Sequence, residues 1–158
     1  MSAPDGPGRH NRRPGWFTRQ VFNRAVTGLT RMGVSVWGSR VLEVPGRRSG
    51  LVRKVPVNLL VHGGHQYLVA PRGEGEWVRN VRAAAGRLDL VVGRRRQHLV
   101  ATEITADEEK AEVLRAYLAR WRAEVGVFFD GVGPRSSAAE LARIAPRHPV
   151  FVLRQVRN

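Results

Sequence analysis

Cysteine is absent from the 158-residue chain. That removes disulfides, thiolate metal sites and thiolate nucleophiles together. Lysine is almost absent: Lys54 and Lys110 are the only two. No apolar run approaches the roughly 20 residues that a membrane-crossing helix needs, and the start lacks the apolar core of a secretory leader. The expectation is therefore a cytoplasmic protein. Carboxylates are few, 13 against 27 cations, and stand scattered or at predicted helix starts. No pair is placed for acid–base work. GxGxxG after a strand, GxxxxGK[ST] and GxSxG are all missing, and no Ser/His/Asp set has local support. No catalytic residue is assigned. If the protein is an enzyme, a bound cofactor carries the chemistry and the protein supplies position and charge.

What remains is arginine, 25 residues of it, in a chain of net charge +14. Its planar fork suits phosphates and carboxylates. Residues 1–100 hold 18 Lys+Arg against 5 Asp+Glu, a balance of +13, whereas residues 101–158 hold 9 against 8. The positive field belongs to the first hundred residues and points to an anionic partner there: a nucleotide-like cofactor, nucleic acid or an anionic membrane.

Residues 1–14 are rich in Pro, Gly and Arg and read as a disordered tail. Residues 15–158 read as a single domain, long enough to bury a core. From Trp16 the pattern turns helical: Trp16, Phe17, Val21, Phe22, Ala25, Val26, Leu29 and Met32 alternate with Arg19, Arg24 and Arg31. This predicts a basic amphipathic helix over 15–33, suited to capping the core or to lying on a membrane surface. Strands are expected at 41–44, 53–61, 66–70, 87–92, 97–104 and 150–156. Helices are expected at 74–85, 105–124 and 137–144, the second with an N-cap at Thr105. Pro56 cannot donate to a ladder, so its strand should be an edge or carry a bulge. His62-Gly63-Gly64-His65 is a tight turn; its histidines lack a third ligand, and no metal site is assigned. Gly93-Arg94-Arg95-Arg96 reads as a charged hairpin turn, and Phe128-Phe129 as core filling or a wall over a planar ligand. Short strands joined by tight turns indicate an antiparallel sheet or barrel.

One stretch gathers the cations. Between Val41 and Asn80 lie the glycine-bracketed loop Gly46-Arg47-Arg48-Ser49-Gly50, then Arg53, Lys54, Arg72 and, at a helix start, Arg79. Cations and a hydroxyl on glycine-loosened backbone form a polyanion cradle; a solvated basic hairpin is the plainer alternative.

The segment from Gly46 to Gly50, then Arg53 and Pro56, then Val69-Ala70-Pro71-Arg72, then Trp77-Val78-Arg79-Asn80-Val81-Arg82-Ala83 resembles the deazaflavin-dependent nitroreductase family, also called the coenzyme F420-dependent quinone reductases of actinobacteria. The likeness runs from about Val41 to Ile104 and returns at His148-Pro149-Val150. It implies an α+β fold: a split β-barrel, related to the flavin-binding barrels, of about six mostly antiparallel strands with flanking helices. It also implies reduced coenzyme F420 as hydride donor to a flat, electron-poor acceptor such as a quinone or nitro compound. Carried over residue by residue, Arg47, Arg48, Ser49, Arg53 and Lys54 would serve the phosphodiester and oligoglutamate tail. Val55, Pro56, Val57 and Asn58, with Val69, Ala70 and Pro71, would pass along the ring. Arg72 and the run Glu76, Trp77, Val78, Arg79 and Asn80 would complete the lining.

The chain departs from the family in a short segment before Trp77 and in lacking the C-terminal tyrosines that contact substrate, so substrate roles are not carried over. Alternatives are the same barrel holding FMN, haem or a lipid-like ligand, and a basic nucleic-acid-binding domain without catalysis. Against the last, the aromatics sit on helix faces rather than among the strand arginines. The remaining expected partners are a membrane surface met by the helix at 15–33 and, since split barrels of this type dimerise, a second copy.

Overall fold

The computed structural model describes residues 39–157. The tail at 1–14 and the amphipathic helix at 15–33 lie outside the described residues. Six strands appear: β1 (Ser39–Pro45), β2 (Val52–His62), β3 (His65–Val69), β4 (Arg87–Val92), β5 (Arg95–Glu103) and β6 (Val150–Gln155). Three helices accompany them: α1 (Glu76–Ala83), α2 (Asp107–Val125) and α3 (Ala138–Ile144), with 3-10 turns at Gly126–Phe129 and Ala145–Arg147.

The strands close into an antiparallel barrel in the order β1-β2-β3-β6-β5-β4. Closure follows from β2, whose eleven residues serve two neighbours. Its first half, Val52 to Asn58, pairs with β1, and its second half, Leu59 to His62, with β3. Pro56 lies in the half with one partner, opposite Val41, so its missing N–H leaves no rung broken on a second side. The β2–β3 turn is Gly63-Gly64, both at positive φ (56° and 78°), which a two-residue hairpin requires of its central pair.

The period-2 alternation of the strands sends one set of side chains inward: Leu42 and Val44, Val57 and Leu59, Leu68, Leu88 and Leu90, Leu99 and Ala101, Phe151 and Leu153. Val78 and Val81 of α1, both 0% exposed, join this cluster, so α1 plugs the barrel end where β1, β3 and β5 finish. The outward side chains of β2, β3 and β6 form a second core with α2. Leu60, Val69 and Val150 meet Leu114, Tyr117, Leu118 and Trp121, and α3 and the two 3-10 turns close over it through Phe129, Leu141, Ile144 and Ala145.

Two details differ from expectation. The arginine run is a turn only at Gly93-Arg94; Arg95 and Arg96 already belong to β5, because a two-residue turn there pairs Val92 with Arg95. Thr105 does not cap α2: the N-cap is Ala106, without a side-chain bond, and Asp107, Glu108 and Glu109 in the first turn meet the helix dipole instead. At α3 the sequence provides a full capping box, with Glu140 N–H donating to Ser137 Oγ (3.2 Å) and Ser137 N–H to Glu140 Oε2 (3.1 Å).

Candidate functional site

The antiparallel order places the 46–51 loop, the 70–75 loop, α1 and the His148-Pro149 approach to β6 at one end of the barrel. Every segment that the sequence singled out for anion binding therefore shares that end. The loop is self-supporting. Gly46 N–H donates to Leu51 O (2.8 Å), Gly50 N–H to Gly46 O (2.8 Å), and Leu51 N–H to Ser49 Oγ (3.2 Å). A β carbon at Gly46 would stand 3.1 Å from Ser49 Oγ and 3.3 Å from Arg53 Nε, so glycine lets both side chains close on the loop backbone.

Helix α1 then braces the loop. Asn80, buried, accepts from Arg47 N–H (3.1 Å) and from Arg47 Nη1 (3.0 Å), and the same Nη1 donates to Glu76 Oε2 at 2.7 Å. Arg47 is thus committed inside the protein. The hydrogen bond and charge of Arg47, with the more distant charges of Arg48 and Arg79, hold the Glu76 carboxyl below the usual carboxylate range. Three guanidinium groups, those of Arg47, Arg48 and Arg79, therefore act on one carboxylate, while Arg53 Nε lies against Gly46 at the base of the same loop. The side chains of Arg48, Arg53 and Arg79 are exposed and make no ion pair with a described residue. The N-terminus of α1 adds unsatisfied N–H groups, since Gly75 caps it with no side chain.

The other expected site residues divide clearly. Lys54 points to the outer face, 3.5 Å from Glu43 Oε1, where Arg96 also holds Glu43 at 2.5 Å and Asp89 at 2.8 Å. Val55, Pro56, Val57 and Asn58 are half-buried along β2. Val69, Ala70 and Val78 are buried, so only their backbone could meet a ligand. Pro71 is half-buried, and Trp77 is half-buried with its ring 5.9 Å from Phe151. Arg72 turns the other way, 5.1 Å above the Phe128 ring. Phe128 is exposed beside it, whereas Phe129 fills the core. Arg82 does not join the anion cluster: Glu74 (2.8 Å) and Glu103 (2.6 Å) take its charge and raise its pKa.

A cavity of about 750 Å³ lies elsewhere, between the second half of β2 and α2. Arg40, Leu59, Leu60, Val61, Arg120 and Trp121 are among its walls. Sequence reading assigned none of these a role. The alternation of β2 was legible, but nothing local says that α2 stands off its end. It also missed Lys110 and His148, both buried near the Ala70 turn. Among the described residues no helix is long and apolar enough to cross a membrane.

A family model described as F420H(2)-dependent quinone reductase matches residues 15–127. Among solved structures, one described as a domain-swapped dimer shares 21% identity, covers 89% of this chain and 99% of its own, and superposes with a TM-score of 0.53. An F420-H2 dependent reductase shares 20% identity over 74% of this chain and 94% of its own, with a TM-score of 0.51. A conserved hypothetical protein from Mycobacterium tuberculosis shares 13% over 75% and 73%, at 0.52. At these identities the likeness is one of fold. No curated protein matches the chain.

Proposed function

The chain belongs to the F420H(2)-dependent quinone reductase family, an oxidoreductase family, and from that premise we propose that it reduces a flat, electron-poor acceptor, of the quinone or nitro-compound kind, with a reduced deazaflavin coenzyme held at the arginine end of the barrel. The single observation that carries this reading is the set of exposed cations at one barrel end without ion pairs to described residues: Arg48 and Arg79 near Glu76 at the start of α1, and Arg53 against Gly46 of the adjoining loop.

The residues present fit such a coenzyme. Its phosphodiester and glutamate carboxylates call for cations and hydroxyl donors, which Arg48, Arg53, Arg79 and Ser49 supply at the surface. Arg47 and Glu76 act behind them: their 2.7 Å ion pair, with Asn80, fixes the loop so that Arg48 and Arg53 are presented without being ordered anew by each ligand. Val55 to Asn58 are half-buried on β2, with Val55 and Val57 towards the barrel interior and Pro56 and Asn58 outward; the outward pair offers apolar and amide surface to a flat ring. Lys54 contributes to the positive field rather than to contact, since Glu43 occupies it.

When bound and reduced, the coenzyme supplies a hydride; the acceptor takes it with one solvent proton and leaves as the two-electron-reduced product, a hydroquinone in the quinone case. The protein's share is to bind the tail, orient the ring and keep water from the face along which the acceptor lies.

The experiment is a titration of the coenzyme's own fluorescence with purified protein. A saturable change at micromolar protein is expected. Arg53→Glu should weaken binding at least tenfold, because it replaces a charge-assisted contact of about 1.5–3 kcal/mol by repulsion. Absence of any saturable change would remove the proposal.

A further inference from the structure

We propose that the cavity between β2 and α2 seats the acceptor, and that it selects acceptors in which a flat apolar ring carries a carboxylate. The inference rests on the reductase reading above and goes beyond it by naming the second site and its ligand chemistry.

Three observations carry it. The first is position. β2 is one continuous strand: it starts at the anion end, and the half-buried Pro56 and Asn58 share the outer face of Leu60, which walls the cavity against α2. At about 3.3 Å per residue, Leu60 stands roughly 23 Å from Arg53. The cavity thus continues the outer face of the strand that begins at the anion end, on the side of Pro56 and Asn58.

The second is shape. A volume of about 750 Å³ lies within the range of small-molecule sites, and Leu59, Leu60, Val61, Ala116, Ala119 and Trp121 give it apolar walls.

The third is charge. Arg40, Arg115 and Arg120 line it against one carboxylate, Glu112. Arg115 Nη1 donates to the carbonyls of Pro134 (2.8 Å) and Ser136 (2.9 Å); these carbonyls fix the guanidinium without cancelling its charge. The Arg120 guanidinium lies 4.3 Å over the Trp121 ring and has no ion pair with a described residue. A guanidinium held over an indole beside an apolar wall matches a carboxylate on an aromatic ring.

The test needs no coenzyme. The purified protein is titrated with anthraquinone-2-carboxylate and with the uncharged 2-(hydroxymethyl)anthraquinone, following tryptophan emission. The carboxylate is expected to bind about tenfold tighter, the equivalent of one charge-assisted contact. Arg120→Gln should erase most of that preference and leave the neutral probe's affinity unchanged. Ala119→Phe should fill the cavity and abolish binding of both, with circular dichroism showing that it folds. Trp121→Phe should remove most of the quenching. Equal affinity for the two probes, or unaltered binding to Ala119→Phe, would overturn the proposal. Separate titration with the coenzyme divides the two readings. Probe binding without coenzyme binding would sink the reductase reading and leave a site for aromatic carboxylates; the reverse would sink this inference alone.

Discussion

Asn80 Oδ1 accepts two hydrogen bonds from one residue 33 positions away, from the Arg47 backbone N–H at 3.1 Å and from Arg47 Nη1 at 3.0 Å. The side chain is buried, so no water replaces it. Asn80→Ala should cost about 1–3 kcal/mol, the penalty of stranding a donor in a partly closed site. Asn80→Asp keeps the acceptor and should cost less. Urea unfolding measures both. Because Asn80 fixes the loop that carries Arg48, Asn80→Ala should also lower coenzyme affinity.

Gly86 stands where α1 hands the chain to β4. Its φ is +82°, and a β carbon there would lie 2.1 Å from Ala101 O. The contact is tight because Ala101 N–H donates to Gly86 O at 2.7 Å, drawing β5 against the turn. A backbone atom cannot swing aside as a side chain can. Gly86→Ala should therefore cost about 3 kcal/mol or more, combining the left-handed penalty with the clash, and should lower the thermal midpoint by more than 10 °C. Gly64→Ala shares the positive φ, 78°, but has nothing within 4 Å. It should cost only about 1–2 kcal/mol, the left-handed term alone.

The strands and their turns were legible because alternation and glycine are local signals. Val55, Val57 and Leu59 announce one face of β2, and Gly63-Gly64 announces the turn that follows. The order of the barrel was not legible. That β3 pairs with β6 depends on contacts between Val69 and Val150, about eighty positions apart, and no local pattern encodes them. In the candidate site, residue type was readable and commitment was not. Arg47 and Arg53 look alike in sequence, yet one is spent on Asn80 and Glu76 while the other is open. Lys54 likewise reads as a free cation until β1 sets Glu43 opposite it. The reductase reading came from the resemblance of GRRSG, Arg53 and the Trp77–Asn80 helix to a known family; spacing alone left a polyanion cradle and a solvated basic hairpin both open.

His148 should impose a pH dependence on stability. It is buried, its ring stacks 4.2 Å from that of Phe129, and its Nδ1 lies 3.2 Å from Ala70 O. Burial pulls its pKa below the ordinary value of about 6.5. The charges of Lys110 and Arg147 push the same way, and the carbonyls of Ala70 and Pro71 oppose them. Between the lowered native pKa and about 6.5, the unfolded chain holds a proton that the native one does not, so stability rises with pH in that window. It should be complete above about pH 6.5 and lost as pH falls towards the native value. Glu74 and Glu76, whose pKa values are also lowered, act only below the ordinary carboxylate range, so the windows separate. Thermal midpoints across pH 5 to 7 should slope in the native protein and flatten in His148→Gln. Parallel curves would assign the slope to another group.

Lys110 should be a residue whose charge the fold would be better without. It is 7% exposed, on the first turns of α2, and has no hydrogen bond or ion pair from its side chain to a described residue. Burial lowers its pKa; Asp107 and Glu103 oppose that, while Arg82 reinforces it. An ammonium taken from water without a close partner is a net cost, and its four-carbon stem already fills apolar space. Lys110→Met keeps the stem's volume and drops the charge. It should stabilise the protein slightly, and should raise the native pKa of His148 slightly by removing a neighbouring cation. Lys110→Glu should not rescue in the same way, since Asp107 and Glu103 would then repel it. If Lys110→Met instead destabilises by more than about 1 kcal/mol, the ammonium's interactions with Asp107 and Glu103 outweigh its desolvation. Chemical unfolding at pH 7.5, above the histidine window, gives that sign without interference.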